Sequence, residues 1–257
     1  MNIPAYAELH CLSNFSFLRG ASFPEELVER AAELGYTALA ITDECSLAGV
    51  VRAHIAVRDA VRADKSQPLK LIIGSEFICD DGLHFVLLAT SRRGYAQLAH
   101  LITQARRKAA KGNYHLDRAM LQENDCNECL AIWLSAPTTA RQEQEICFLR
   151  SLFPERLWIA VELLRQGKDQ QQLTQLQLLG DKFQLPLCAS GGVMMHRAER
   201  RLLRDTLKSI QLGRPLTELG FAIPANGQQH LRRREQLKNL YPHVLLHETI
   251  RIAGLCN

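Results

Sequence analysis

YAELHCLSNFSFLRGASFPEELVERAAELGYTALAITDE, residues 6–44, is the stretch whose reading decides the fold. It holds two short apolar runs, Ala7–His10 and Ala38–Asp43, on either side of an amphipathic segment, Pro24–Leu34. Ser22 can cap that segment, Pro24 suits its first turn and Gly35 can end it. Near-continuous apolar runs are expected of strands buried on both faces. Strand, helix, strand is the unit of a parallel α/β fold. Each run also turns polar at its end: Glu8 and His10 on the first, Asp43 and Glu44 on the second. Residues two apart in a strand point the same way, so Glu8 and His10 are expected to present a carboxylate and an imidazole together.

The pattern repeats along the chain. Further strand-like runs are Leu69–Phe77, His84–Ala89, Leu130–Ser135, Trp158–Leu163 and Leu185–Ser190. Helical segments lie at Leu47–Arg62, Gly94–Ala110, Thr139–Leu152, Asp169–Phe183 and Arg197–Gln211. Seven strands alternating with helices indicate a barrel or a doubly wound sheet. No glycine-rich phosphate loop follows the first strand, which disfavours a dinucleotide-binding sheet. Polar residues gather instead at strand ends (Glu76, Ser135, Glu162 and Ser190 join the first four), the face where barrels of this kind place their sites. Beyond the last strand, Ala225–Arg234 reads as a basic loop, and Gln236–Leu240 and His243–Ala253 as helices split by Pro242. The expected division is a barrel over 1–222 and, over 223–257, a connector opening a further module.

Composition narrows the function. At 257 residues and 47% hydrophobic content, one large domain can bury its core. No run is long and apolar enough to span a membrane, and no leader-like segment opens the chain, so a cytoplasmic protein is expected. Eight cysteines without repeating spacing then read as reduced thiols. Net charge is +4, unevenly spread. Arg92–Arg118 holds seven Lys/Arg against one acid, and Arg197–Lys238 ten against four. Such asymmetry suits a chain facing nucleic acid; two solvated helix faces would give the same count.

Four segments carry a family resemblance: YAELHCLSNFSFLRGAS, ALAITDECSLAGVVRAH, LKLIIGSEF and HFVLLATSRRGYAQL. In this order and spacing they resemble the PHP (polymerase and histidinol phosphatase) domain of C-family bacterial DNA polymerases. Glu-Leu-His at 8–10, Leu-Arg-Gly at 18–20 and Asp-Glu-Cys at 43–45 are most similar to the error-prone, translesion branch. VELLRQG (161–167), LPLCASGGVMMHRAERRLLRDTLKSIQLG (185–213) and NGQQHLRRR (226–234) continue the match, and HETIRIAGLC (247–256) resembles the helix leading into the polymerase module. The resemblance implies a distorted seven-stranded (β/α) PHP barrel with a short helical C-terminal extension.

Active members of that family bind up to three metal ions, and the resemblance places their ligand positions here. The first-strand His-x-His has become Glu8 and His10, and the loop ligand falls at Arg19. Asp43 is kept, the following His is Glu44, and the third-strand acid is Glu76. His84 matches a fourth-strand His, a sixth-strand His falls on Gln166, and the last-strand Asp-x-His has become Gly192-Val193-Met194. Glycine offers no side-chain ligand, methionine is a soft thioether, and arginine repels a metal ion. A hydrolytic cluster needs several ligands on each ion, so its loss is expected, with no cofactor in this domain. Arg19 would then pair with Glu8, Glu44 or Glu76. The alternative is one divalent ion (Zn, Mn or Mg) on His10, Glu44 and Glu76, serving a metal-dependent phosphoesterase or pyrophosphatase.

The leading expectation is thus a non-catalytic PHP domain of a translesion DNA polymerase. Its partners would be the polymerase module of the same parent chain, DNA and other translesion or replication proteins, with no membrane. Arg197, Arg200, Arg201 and Arg204 on one helix, and Arg232, Arg233 and Arg234 in the following loop, are the candidates to track phosphates. A stand-alone DNA-binding module is the third reading. Other residues have plainer explanations. Cys126-x-x-Cys129 lacks the second pair of a zinc ribbon. Cys11 and Cys45 read as packing residues, and His54 as a packed or surface imidazole. His196 lies two positions late for a ligand. Asp43 is suited to accepting backbone N–H bonds in the strand-to-helix loop.

Overall fold

The computed structural model describes residues 3–62, 69–135 and 139–257. Seven strands form one sheet in chain order: β1 Ala7–Glu8, β2 Ala38–Ile41, β3 Lys70–Ile78, β4 His84–Ala89, β5 Cys129–Trp133, β6 Leu157–Glu162 and β7 Leu187–Ser190. Each falls on one of the seven apolar runs. A bridge between Cys11 and Val193 joins the two ends of the sheet. There the Leu12 N–H donates to the Val193 carbonyl at 2.8 Å, and the Val193 N–H donates to the His10 carbonyl at 2.9 Å. The sheet therefore curls into a nearly closed seven-stranded barrel.

One strand corrects the all-parallel expectation. β4 runs antiparallel to both β3 and β5. Residues 79–83 are too few for a crossover and make a hairpin instead. The Cys79 N–H donates to the Leu83 carbonyl at 2.8 Å, with Gly82 at φ +85° in the turn. This reversal matters for the site. It brings His84, the first residue of β4, to the barrel end where β1, β2, β3, β6 and β7 finish.

The helices are α1 Pro24–Glu33, α2 Val50–Arg62, α3 Arg92–Arg107, α4 Arg118–Glu123, α5 Thr139–Leu152, α6 Asp169–Phe183, α7 Arg201–Leu212, α8 Arg234–Leu240 and α9 His243–Leu255. α4 was not anticipated; Asp117 caps it by accepting the Met120 N–H at 2.7 Å. Ser22 does not cap α1. Phe23 is the N-cap, its N–H held by the Glu26 carboxylate at 2.9 Å. The Ser22 hydroxyl serves His196 instead.

Strand side chains alternate between two cores. Leu39, Leu87, Trp133 and Ile159 belong to the outer one, under the helices. Ala40, Ile72, Val86, Leu88, Ile132 and Trp158 fill the barrel interior, where Ile252, Ala253 and Cys256 of the α9 region join them. α9 thus closes the barrel's lower end. The Lys70 ammonium at the start of β3 donates to the Ala253 carbonyl at 2.9 Å, and the Trp158 indole N–H to Glu248 at 2.6 Å. Burying Ile252 alone stabilises by about 1.5–3 kcal/mol. Within the stretch 223–257, expected to be a connector opening a further module, α9 packs against the barrel.

Candidate functional site: an ion-pair network at the barrel mouth

Three acids converge at the upper end. Glu76 on β3 is fully buried, Glu162 ends β6, and Glu44 lies in the loop after β2. On β3 and β6 these acids continue the interior-facing alternation, two or four residues on from Ile72 and Ala160. Carboxylates crowded in this way repel unless cations separate them.

Two side chains do so. The Arg19 guanidinium places Nη1 2.5 Å from Glu44 and 2.6 Å from Glu76. His10 lies between the other pair, with Nε2 2.6 Å from Glu76 and Nδ1 2.8 Å from Glu162. Both ring nitrogens face carboxylate oxygens, so the ring serves both only as the doubly protonated imidazolium. Burial works against that charge, but the bonds to Glu162 and Glu76 carry the His10 pKa up to about 10. Burial likewise works against a charged Glu76, but Arg19, His10 and His84 hold its carboxyl well below the usual range. His84 Nε2 is 3.0 Å from Glu76 without the alignment of a hydrogen bond. Its ring stands edge-on to His10 at 6.3 Å.

The backbone beside the arginine clamp is strained. Leu18, preceding Arg19, has φ +60°, and Cys45, following Glu44, has φ +44°. Left-handed geometry at such residues costs about 1 kcal/mol or more each, so the surrounding contacts enforce it. Around Glu44 those contacts include the Tyr114 hydroxyl, donating at 3.0 Å, and the Arg106 guanidinium on the Glu44 and Cys45 carbonyls.

Glu8 corrects an expectation. β1 ends at Glu8, so strand alternation does not carry through to His10. The two side chains part, and Glu8 does not meet Arg19. Its carboxylate accepts the Tyr6 hydroxyl at 2.8 Å, the His10 N–H at 3.1 Å and the Gly191 N–H at 3.0 Å. Burial raises its pKa despite those bonds. Asp43 also stays outside the network. It accepts from the Ser13 N–H and hydroxyl and from the Ser16 hydroxyl at 2.7–2.8 Å, tying the 13–16 loop to the end of β2.

The remaining ligand positions divide. Gly192 adjoins the network: a Cβ there would come within 2.9 Å of Glu162, and its φ of +51° suits glycine. Met194 is engaged through its backbone, to Ala21 and Gln229. Gln166 is exposed on the loop before α6, its N–H on Asp169, away from the acids. The sixth-strand contribution is Glu162. Its strand-end position was legible, but alignment to a family histidine drew attention four residues too far. Tyr114 was also missed, lying between helices with no motif to mark it.

The barrel mouth was tested as a metal centre on this geometry. An imidazole ligand needs one nitrogen free for the ion while the other donates to a carboxylate. Here both are engaged. Arg19 occupies the space between Glu44 and Glu76, and Gly192 adds no donor. Among the described residues no three His, Cys, Asp or Glu side chains are arranged to share an ion. With His10 paired on both nitrogens and Arg19 between Glu44 and Glu76, this arrangement leaves no open coordination position among those side chains.

Arginines expected to track phosphates are largely used internally. Arg204 and Arg232 are buried, which removes them from any nucleic-acid face. Arg204 pairs with Asp205 at 2.6 Å. Arg232 donates to the Leu163 carbonyl and to the Tyr241 hydroxyl, which itself donates to the Ser190 carbonyl. Arg200 pairs with Glu26, Arg201 with Asp205 at 3.4 Å, and Arg234 donates to the Leu34 carbonyl. Arg197, Arg201 and Arg233 are exposed. All eight cysteines are free thiols.

Fold and site together define a PHP-type barrel with an ion-pair network of Arg19, His10, Glu44, Glu76 and Glu162 at its mouth. The PHP domain profile matches residues 8–144, and the chain belongs to that family. It is 54% identical over 251 residues to the error-prone DNA polymerase of Methylococcus capsulatus, covering 98% of this chain and 23% of that one. With the error-prone DNA polymerase of Dechloromonas aromatica it shares 49% identity over 260 residues, covering 100% of this chain and 24% of the relative. The match is to the N-terminal region of these polymerases. The chain spans about a quarter of the length of the curated relatives it matches. Among solved structures, an amidohydrolase from Chromobacterium violaceum superposes with a TM-score of 0.53 at 15% identity, covering 74% of this chain and 88% of that one. That likeness is one of fold alone. No described helix is long and apolar enough to cross a membrane.

Proposed function

We propose that this chain is the N-terminal PHP domain of a translesion DNA polymerase and that its barrel mouth is structural, not hydrolytic. The observation that carries this reading is the pair of internal cations. Arg19 and His10 engage Glu44, Glu76 and Glu162 where a hydrolytic member of the family would hold its ions. The domain would brace the polymerase module of the same parent chain. Nucleotidyl transfer would belong to that module, and DNA contact from this domain would fall to the exposed Arg197 and Arg233.

Metal analysis of the parent polymerase, purified without chelator, tests the structural reading. The expected result is no zinc, manganese or iron attributable to this domain and no phosphomonoester or pyrophosphate hydrolysis above background. Stoichiometric metal, or metal-dependent turnover abolished by His10→Ala, would establish the phosphoesterase reading instead.

A further inference from the structure

α7 is packed inside out. The two residues it buries are the ion pair Arg204 and Asp205, which amphipathic helices normally turn to solvent. Its apolar residues point outward: Leu202 is 67% exposed, Leu203 40% and Ile210 60%. Leu203, Leu207 and Ile210 follow at i, i+4 and i+7, so they form one stripe. That stripe continues across a groove of about 310 Å³ shared with the 14–23 loop, where Phe17 and Phe23 add two more exposed rings. Phe221, on a 3-10 turn beyond α7, is fully exposed. An apolar surface this continuous marks an interface.

We propose that the α7 face and the groove beside it dock a protein surface in the part of the parent polymerase outside this chain. This rests on the reading that the chain is one domain of such a polymerase. Two observations select that occupant. About three quarters of each relative's length lies outside the match, so a large surface is available within the same molecule. The groove is also nearly charge-neutral. Arg200 and Glu26, paired on its rim, are the only opposite charges among the described residues that line it, and the neighbouring Arg204 is buried against Asp205. A phosphate backbone would need those cations free, whereas an apolar protein surface does not. Arg204, one of the arginines that looked like a DNA stripe, is instead buried with Asp205 in the helix's inverted setting.

Photo-cross-linking in the full-length polymerase tests the assignment. A benzophenone side chain is placed separately at Leu203 and Ile210, with Val51 on α2, 63% exposed, as the control. The expected result is intramolecular cross-links from both α7 positions to peptides beyond residue 257 and none from Val51. Cross-links between two copies, cross-links to bound primer-template, or no cross-link at either α7 position would each overturn the proposal. Metal content is measured on the same preparations. Stoichiometric metal there would refute the structural reading of the barrel mouth while leaving the docking result to stand or fall separately.

Discussion

The His10 imidazolium makes folding stability depend on pH in a direction opposite to that of a carboxylate. Its two ring nitrogens touch Glu76 and Glu162, and its side chain is only 6% exposed. Burial opposes the charge, and the two carboxylates outweigh it, leaving a folded-state pKa of about 10. An unfolded histidine titrates near ~6.5. A raised folded pKa contributes stability that is fully present below the unfolded value and is lost as pH rises through the folded one. The window here is therefore ~6.5 to ~10, and the full loss across it is about 4–5 kcal/mol. His10→Gln removes the titration. Urea unfolding of both proteins at intervals from pH 6 to 10 isolates the term, because other alkaline titrations cancel in the difference. The wild-type advantage should shrink steadily across the window, and NMR of the imidazole Hε1 should show no titration near neutrality. A ring that titrates near pH 6.5, or parallel stability profiles, would refute the double ion pair.

Arg19→Met should cost about 2–4 kcal/mol at pH 7, since it leaves Glu44 and Glu76 short of a partly buried cation. Because Glu76 has a depressed folded pKa, that loss should be present above ~4.3 and fade as acid protonates the carboxylates; denaturant unfolding at pH 7 and pH 3 reads it, and equal losses would detach Arg19 from the acids. Ile252→Ala should destabilise by about 2–4 kcal/mol through a cavity at the barrel's lower end. If calorimetry shows under about 0.5 kcal/mol, α9 is not the plug. Reversing charge at Arg197 and Arg233 in the parent polymerase should weaken primer-template binding and flatten its salt dependence without changing base preference; unchanged salt dependence would take DNA away from this face.

The strands were legible because most are buried on both faces, and a near-continuous apolar run needs no partner to be recognised. Direction was harder. β4 reverses because Asp80-Asp81-Gly82 turns the chain within a hairpin, and strand count alone does not register that. The Glu8/His10 pairing failed for a local reason: alternation holds only inside a strand, and β1 stops at Glu8. The Arg19 contact was legible because a cation placed among acids must neutralise one of them. Arginine spacing on α7 was the weakest guide. It counted charges without knowing which pair, and Asp205 pairs with Arg204 on the buried face of the helix.

Arg19, His10, Glu44, Glu76 and Glu162 form one physical unit. Without Arg19 and His10, Glu44, Glu76 and Glu162 would repel one another in a partly desolvated mouth. Neutralising those acids by mutation would remove the repulsion but also the partners that orient His10. Placing Arg19 between Glu44 and Glu76 keeps the acids and supplies a cation attached to the chain, so no free ion concentration enters the stability. The acids then hold the 19 and 44 loops against β3 through hydrogen bonds of 2.5–2.6 Å. Tyr241 and Arg232 link the neighbouring strand ends, at Ser190 and Leu163, to the stretch leading into α9. Barrel mouth, α8 and the α9 plug are thus one connected scaffold.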